Sequence, residues 1–287
     1  MARRQSPSAL DQAFAQYSQE AEFALDWERD GGELPSVVQQ TAEGNGPTSV
    51  PPCAANPRLR NSLGLSFGSR GDWRRAIDEF TAAIDLAPDY TVAYTNRGYA
   101  HANFKDYSAA ISDFTLALRL DPRCAVAWNN RGLAYAATGD YERALSDCDA
   151  ALAIDPKLAL AYHNRGFAYA ARGQYSRAIQ DFDTALELNP RIANGYHGRA
   201  FVYVALGDYD RALADYDREI SLRPGYAPAF FSRGFAHAAK SDFDRAQADY
   251  ERAIELDPQY AQAYHNLADI YGARGEVSAA IEAVQAL

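Results

Sequence analysis

Asn96, Asn130 and Asn164 stand 34 residues apart, and His163 and His197 repeat that interval. A side-chain amide carries both a donor and an acceptor, so a row of amides can pair with a peptide main chain whatever its sequence. Imidazoles can hold a metal or move a proton. Arg97, Arg131, Arg165, Arg199 and Arg233 share the spacing, and guanidinium groups grip carboxylates with two parallel hydrogen bonds. Asp113, Asp147, Asp181, Asp215 and Asp249 keep step with these arginines, 16 residues on. Chemistry that recurs at a fixed interval belongs to a repeating structural element before it belongs to one catalytic centre.

The prolines measure that element. Pro88, Pro122, Pro156, Pro190, Pro224 and Pro258 are each 34 residues apart, the mark of a solenoid whose units bury their apolar faces only against neighbours. With each proline at position 32, units begin at Pro57, Thr91, Ala125, Ala159, Ala193, Ala227 and Ala261, the seventh running 27 residues to Leu287. Each unit holds two apolar-periodic segments, expected as helices at positions 1–14 and about 17–30. Pairs such as Gly139-Asp140 and Gly207-Asp208 separate them, the glycine as a left-handed cap and the aspartate as an N-cap. The fold class is all-α.

Small residues at position 8 (Gly64, Gly98, Gly132, Gly166, Ala200, Gly234, Ala268) and at position 20 (Ala76 through Ala246) let the paired helices approach closely. Aromatic residues at positions 4, 11, 17 and 24 then fill the flanks, so most tyrosines read as core. Ahead of the array, residues 1–56 form a tail. Ser8 to Arg29 reads as an amphipathic helix with Leu10, Phe14, Tyr17 and Leu25 on one stripe, and residues 31–56 as a flexible Pro/Gly linker.

Composition narrows the function classes. Lys plus Arg is 28 against 38 Asp plus Glu, a net charge of −10, which repels phosphate backbones and argues against nucleic acid and anionic membranes as partners. Cys53, Cys124 and Cys148 form no C-x-x-C pair and suit neither zinc nor a disulfide framework. Together with the lack of a secretory signal or a long apolar run, they point to a cytoplasmic protein. No phosphate loop, nucleophile elbow or metalloprotease motif occurs, so neither an enzyme nor a cofactor is expected.

The repeats resemble the tetratricopeptide repeat: a large residue at position 4, Gly at 8, Tyr at 11, Ala at 20, Phe at 24, Ala at 27 and Pro at 32, over residues 57–287. The resemblance implies a right-handed superhelix of antiparallel helix pairs whose first helices line a concave groove, in a family that binds peptides and proteins. The groove positions it implies are Asn96, Asn130 and Asn164 at position 6, Tyr99, Leu133, Phe167, Phe201 and Phe235 at position 9, and Asn129, His163 and His197 at position 5. A groove so lined is nearly uncharged and suits an extended peptide with apolar or aromatic side chains. The Lys/Arg clamp of the chaperone-binding members is missing, since position 2 is basic only at Arg58, where position 6 is Ser62. A metal site also fails: His163 and His197 sit on helices roughly 8–10 Å apart, too far for two bonds of about 2.1 Å to one zinc.

Departures from the pattern carry expectations of their own. Arginine replaces leucine at position 7 wherever position 23 is aspartate, so structural Arg–Asp pairs are expected within each repeat; Arg143, Arg177, Arg211 and Arg245, one turn before those aspartates, are rival partners. Arg60 takes an aromatic position in the first unit, a polar choice suited to an array end. Glu219 replaces alanine at position 27, which requires a basic partner or extra room and predicts a local irregularity between the fifth and sixth units. In the seventh unit Val277, Ile281 and Val284 are expected on an open apolar face. The chain thus reads as a scaffold that binds an extended segment of another protein. The alternative is a self-associating protein that uses that last repeat, or its own N-terminal helix, as the contact.

Overall fold

A computed structural model of the chain describes residues 56–285. Among them there are only helices: α1 Pro57–Gly68, α2 Trp73–Leu86, α3 Thr91–Asn103, α4 Tyr107–Leu120, α5 Ala125–Ala137, α6 Tyr141–Ile154, α7 Ala159–Ala171, α8 Tyr175–Leu188, α9 Ala193–Ala205, α10 Tyr209–Leu222, α11 Ala227–Ala239, α12 Phe243–Leu256, α13 Ala261–Ala273 and α14 Val277–Gln285. Odd-numbered helices are the first of each pair. The helix expected at 8–29, the linker and Val284's side chain lie outside what is described.

The turn between paired helices follows from two residues. Gly71, Gly139, Gly173, Gly207 and Gly275 have φ between 71° and 81°, a left-handed conformation that costs glycine nothing. Lys105 and Ser241 hold the same place at φ 62° and 61°. The following aspartate then caps the second helix: Asp140 Oδ1 accepts from the Arg143 amide at 3.1 Å and Asp106 from Ala109 at 3.0 Å. That amide hydrogen bond holds the Asp140 carboxyl below the ordinary carboxylate range. Gln174 makes no such cap.

Pair packing depends on absent side chains. A Cβ on Gly98 would sit 2.9 Å from the Phe114 ring and 3.2 Å from the Ala110 carbonyl oxygen, and one on Gly132 3.1 Å from that of Ala144. The partner's backbone already occupies the space.

The chain divides into two compact units between Ala168 and Tyr169. In the N-terminal unit, Ala76, Phe80 and Ala100 form one core cluster, Tyr99, Ala102, Ala110, Phe114 and Ala134 the next, and Ala151, Leu152, Leu158 and Ala161 a third. Each takes side chains from more than one repeat, so every helix pair is completed by its neighbour. The C-terminal unit repeats this with Ala178, Phe182 and Phe201, then Ala212 and Tyr216, then Phe231, Tyr250, Tyr260 and Leu267. The irregularity expected beside Glu219 is absent: α10, α11 and α12 keep the register of the other units. The carboxylate obtains partners instead of room, and Pro228 falls in the first turn of α11, where a proline's missing N–H does no harm.

Candidate functional site

The arginines at position 7 are structural. Arg97 grips Asp113 at 2.8 and 2.7 Å, and Arg131 grips Asp147 at 2.7 and 2.9 Å. Arg199–Asp215 and Arg233–Asp249 repeat the fork in the C-terminal unit, while Arg165 and Asp181 fall on either side of the unit boundary. The spare guanidinium nitrogen reaches one repeat back, to Thr81 from Arg97, Thr115 from Arg131, Asp149 from Arg165, Asp183 from Arg199 and Asp217 from Arg233. One side chain therefore ties together both helices of its own repeat and the repeat before it. The rival arginines take another task. Arg143 and Arg211 pair with the N-cap aspartates Asp140 and Asp208 and stack over Tyr135 and Tyr203 at 4.5 and 4.4 Å. Arg60 forms an ion pair with Glu79 at 2.9 Å.

The candidate groove residues lie on the first helices as their positions require, and most of them are covered. Asn96 and Tyr99 on α3, Asn129, Asn130 and Leu133 on α5, His163, Asn164 and Phe167 on α7, and His197 and Phe201 on α9 are buried; Phe235 on α11 is half-buried against Tyr203 and Tyr216. The amides at positions 5 and 6 meet across adjacent repeats. Asn96 donates to Asn61 at 3.0 Å, Asn164 donates to Asn129 at 2.9 Å, and Asn129 donates to its neighbour Asn130 at 3.1 Å. Asn130 Nδ2 ends this relay, buried and without a partner. The position 9 side chains back the row: Tyr99 stands edge-on to Trp73 at 5.7 Å and Phe167 to Tyr141 at 6.5 Å.

Burial pushes the His101 and His237 imidazoles below their usual value, so both are neutral at neutral pH, and burial pushes the Cys124 thiol up. Among the described residues no cluster of three or more metal-ligating side chains occurs.

Sequence profiles described as tetratricopeptide repeat match residues 61–122, 106–159, 139–200 and 193–226, and one described as TPR repeat matches 238–275. The chain belongs to the tetratricopeptide repeat family. Among solved structures it is similar to one titled as the APC/C hetero-tetramer Cut9-Hcn1 (16% identity, TM-score 0.73), covering 82% of this chain but 45% of that one. A tetratricopeptide repeat protein from Parabacteroides merdae is 23% identical with a TM-score of 0.63 over 89% of this chain and 98% of its own. PilW, titled a type IV pilus biogenesis factor, is 19% identical with a TM-score of 0.65 over 72% and 96%. These likenesses establish the fold. No curated protein matches. Among the described residues no helix is long and apolar enough to cross a membrane.

As a tetratricopeptide repeat protein the chain is built on a scaffold suited in general to protein–protein interaction. Two features of its first helices escape a position-by-position reading. Asn61, at position 5 of the first unit, pairs with Asn96 and so belongs to the amide row. A small concavity between α1, α2 and α3 is lined by Gly64, Leu65, Gly68, Trp73, Phe80, Asn96 and Tyr99. Its sequence signals are Gly68 at position 12, where the next three units have alanine, and Trp73 at position 17, where they have tyrosine.

Proposed function

We propose that the chain is a non-enzymatic scaffold that binds an extended segment of another protein along its first helices. The observation that carries this reading is Asn130 Nδ2, a buried donor with no partner at the end of the Asn164–Asn129–Asn130 relay. An unmade hydrogen bond of this kind costs about 1–3 kcal/mol. A main-chain carbonyl oxygen of a bound segment recovers that cost, and the broad torsion of an asparagine amide lets the donor turn out to meet it. The missing charged clamp and the aromatic backing favour an uncharged, apolar segment over an acidic tail. The free thiol of Cys124 fits a reducing compartment and supports a cytoplasmic site of action.

The test starts from peptides selected on the full chain from a random display library. Asn130→Asp keeps the oxygen that accepts from Asn129 and removes the donor. Affinity for the selected peptides falls roughly tenfold, about 1.4 kcal/mol; an unchanged Kd with retained helicity defeats the reading. A second reading, self-association, is favoured by Val277 and Ile281, one turn apart on α14 and 64% and 51% exposed. Light scattering across concentrations separates the two, since a dimer that Ile281→Glu returns to monomer supports assembly.

A further inference from the structure

The concavity at α1–α3 is a site of its own. It is a small cavity of about 10 Å³, partly open to solvent, with Leu65, Trp73, Phe80 and Tyr99 in its lining. Phe80 is 2% exposed and cannot withdraw. Asn96 is the one amide side chain in the lining, and its Nδ2 already donates to Asn61 at 3.0 Å. No charged side chain lines it.

Gly68 keeps the space open. A Cβ at that residue would stand 3.1 Å from the Trp73 ring. At the equivalent position α3 and α5 have Ala102 and Ala136, both buried, so there a methyl group takes the room. The volume suits one methyl-sized group and not a ring.

We infer that this concavity is a selectivity pocket that takes one terminal methyl group of an aliphatic side chain, such as leucine, from a bound partner segment. The inference rests on the peptide-binding reading above. The lining decides the chemistry. A charged side chain entering a wall without a counter-charge loses its hydration unrepaid, whereas each aliphatic carbon covered gains about 0.8 kcal/mol. Asn96 places the pocket beside the amide row, so a segment paired to those amides presents a side chain to it.

The test uses the full chain labelled with 5-fluorotryptophan, whose three tryptophans give separate fluorine signals, that of Trp73 being assigned with Trp73→Phe. N-acetyl-leucine amide shifts the Trp73 signal saturably. N-acetyl-alanine amide, too short to reach, binds roughly fourfold more weakly, and the phenylalanine and aspartate amides leave the signal in place. Gly68→Leu, checked for unchanged helicity, abolishes the response. A Trp73 signal that does not move, or moves equally with the aspartate amide, overturns the pocket, and this comparison needs no variant. If the leucine amide fails while Asn130→Asp still weakens the selected peptides, the pocket falls alone. If the amide binds while Asn130→Asp leaves peptide affinity intact, the main-chain reading falls and the pocket stands as an aliphatic site.

Discussion

Nδ1 of His197 lies 2.8 Å from Oε2 of Glu219, a carboxylate with no exposed surface. With the carboxylate accepting, the imidazole carries its hydrogen on Nδ1. From the other side Arg223 reaches Oε1 and lies over the Tyr226 ring at 3.9 Å. The other complete units hold Ala83, Ala117, Ala151, Ala185 and Ala253 here, all fully buried. Removing the histidine and removing the carboxylate should therefore differ. His197→Ala leaves a buried carboxylate half-compensated and should cost about 3 kcal/mol in urea unfolding. Glu219→Ala strands no charge, because Arg223 is 23% exposed and a methyl fits the position, but it takes the acceptor from the buried Nδ1–H of His197. Its cost should stay at about 1–2 kcal/mol. Equal losses from the two variants would refute this account.

The position 7 arginines predict a contrast between a buried and an exposed partner. Arg131 is 14% exposed, held by Asp147 and Thr115 and stacked over Trp128 at 4.7 Å. Asp147→Ala leaves that guanidinium buried without its counter-charge, a loss of about 3–5 kcal/mol. Asp149, paired to Arg165 but 57% exposed, should cost less than about 1 kcal/mol when changed to alanine, because water screens the pair. Denaturant midpoints of the two single variants decide it.

Helix boundaries, caps and Arg–Asp forks were legible in the sequence because each is a local rule repeated with a fixed period. Tyr141 to Ile154, for example, occupies positions 17–30 as its apolar spacing requires. The bridging of Arg131 to Thr115 was not legible, because position 25 changes from threonine to aspartate along the chain and shows no constant partner. The candidate groove divides in the same way. Position numbering places Asn130 and Phe167 on the first helices but is blind to burial, which depends on how far one repeat rolls onto the next. Asn164 pairs with Asn129 and not with a ligand in the free chain for that reason.

Lys105 and Ser241 occupy the left-handed turn position held elsewhere by glycine. A side chain there costs about 1–2 kcal/mol relative to its preferred conformations, while glycine loses part of that gain through its freer unfolded state. Lys105→Gly and Ser241→Gly should each stabilise the chain by about 0.5–1 kcal/mol, additively, since the two turns lie in different units. Gly139→Ala, with nothing within 4 Å of the added carbon, should lose about 1 kcal/mol purely from backbone strain. Thermal unfolding of the three variants and of the Lys105→Gly/Ser241→Gly pair measures all of this, and a destabilised Lys105→Gly would show that the lysine side chain contributes more than its strained backbone costs.

Tyr250 gives the chain an alkaline limit. It is 1% exposed, its ring fills the space left by Gly234, and its hydroxyl accepts from Asn266 at 3.3 Å. Burial raises its pKa to about 12, against about 10 in an unfolded chain. The unfolded state thus loses its proton first as pH rises. The stability attached to this group is fully present below about pH 10 and disappears between about pH 10 and 12, a difference of about 3 kcal/mol. Tyr250→Phe removes the titration and keeps the ring under Gly234; half-buried Asn266 can turn to water, so the variant should lose less than about 1.5 kcal/mol at neutral pH. Urea unfolding free energies measured from pH 8 to pH 11.5 should fall more steeply in the parent chain than in Tyr250→Phe, with the curves converging or crossing above pH 10. The remaining tyrosines titrate in both, so their share cancels in the difference. Parallel curves would mean that Tyr250 titrates alike in the folded and unfolded chain, which would overturn the raised pKa.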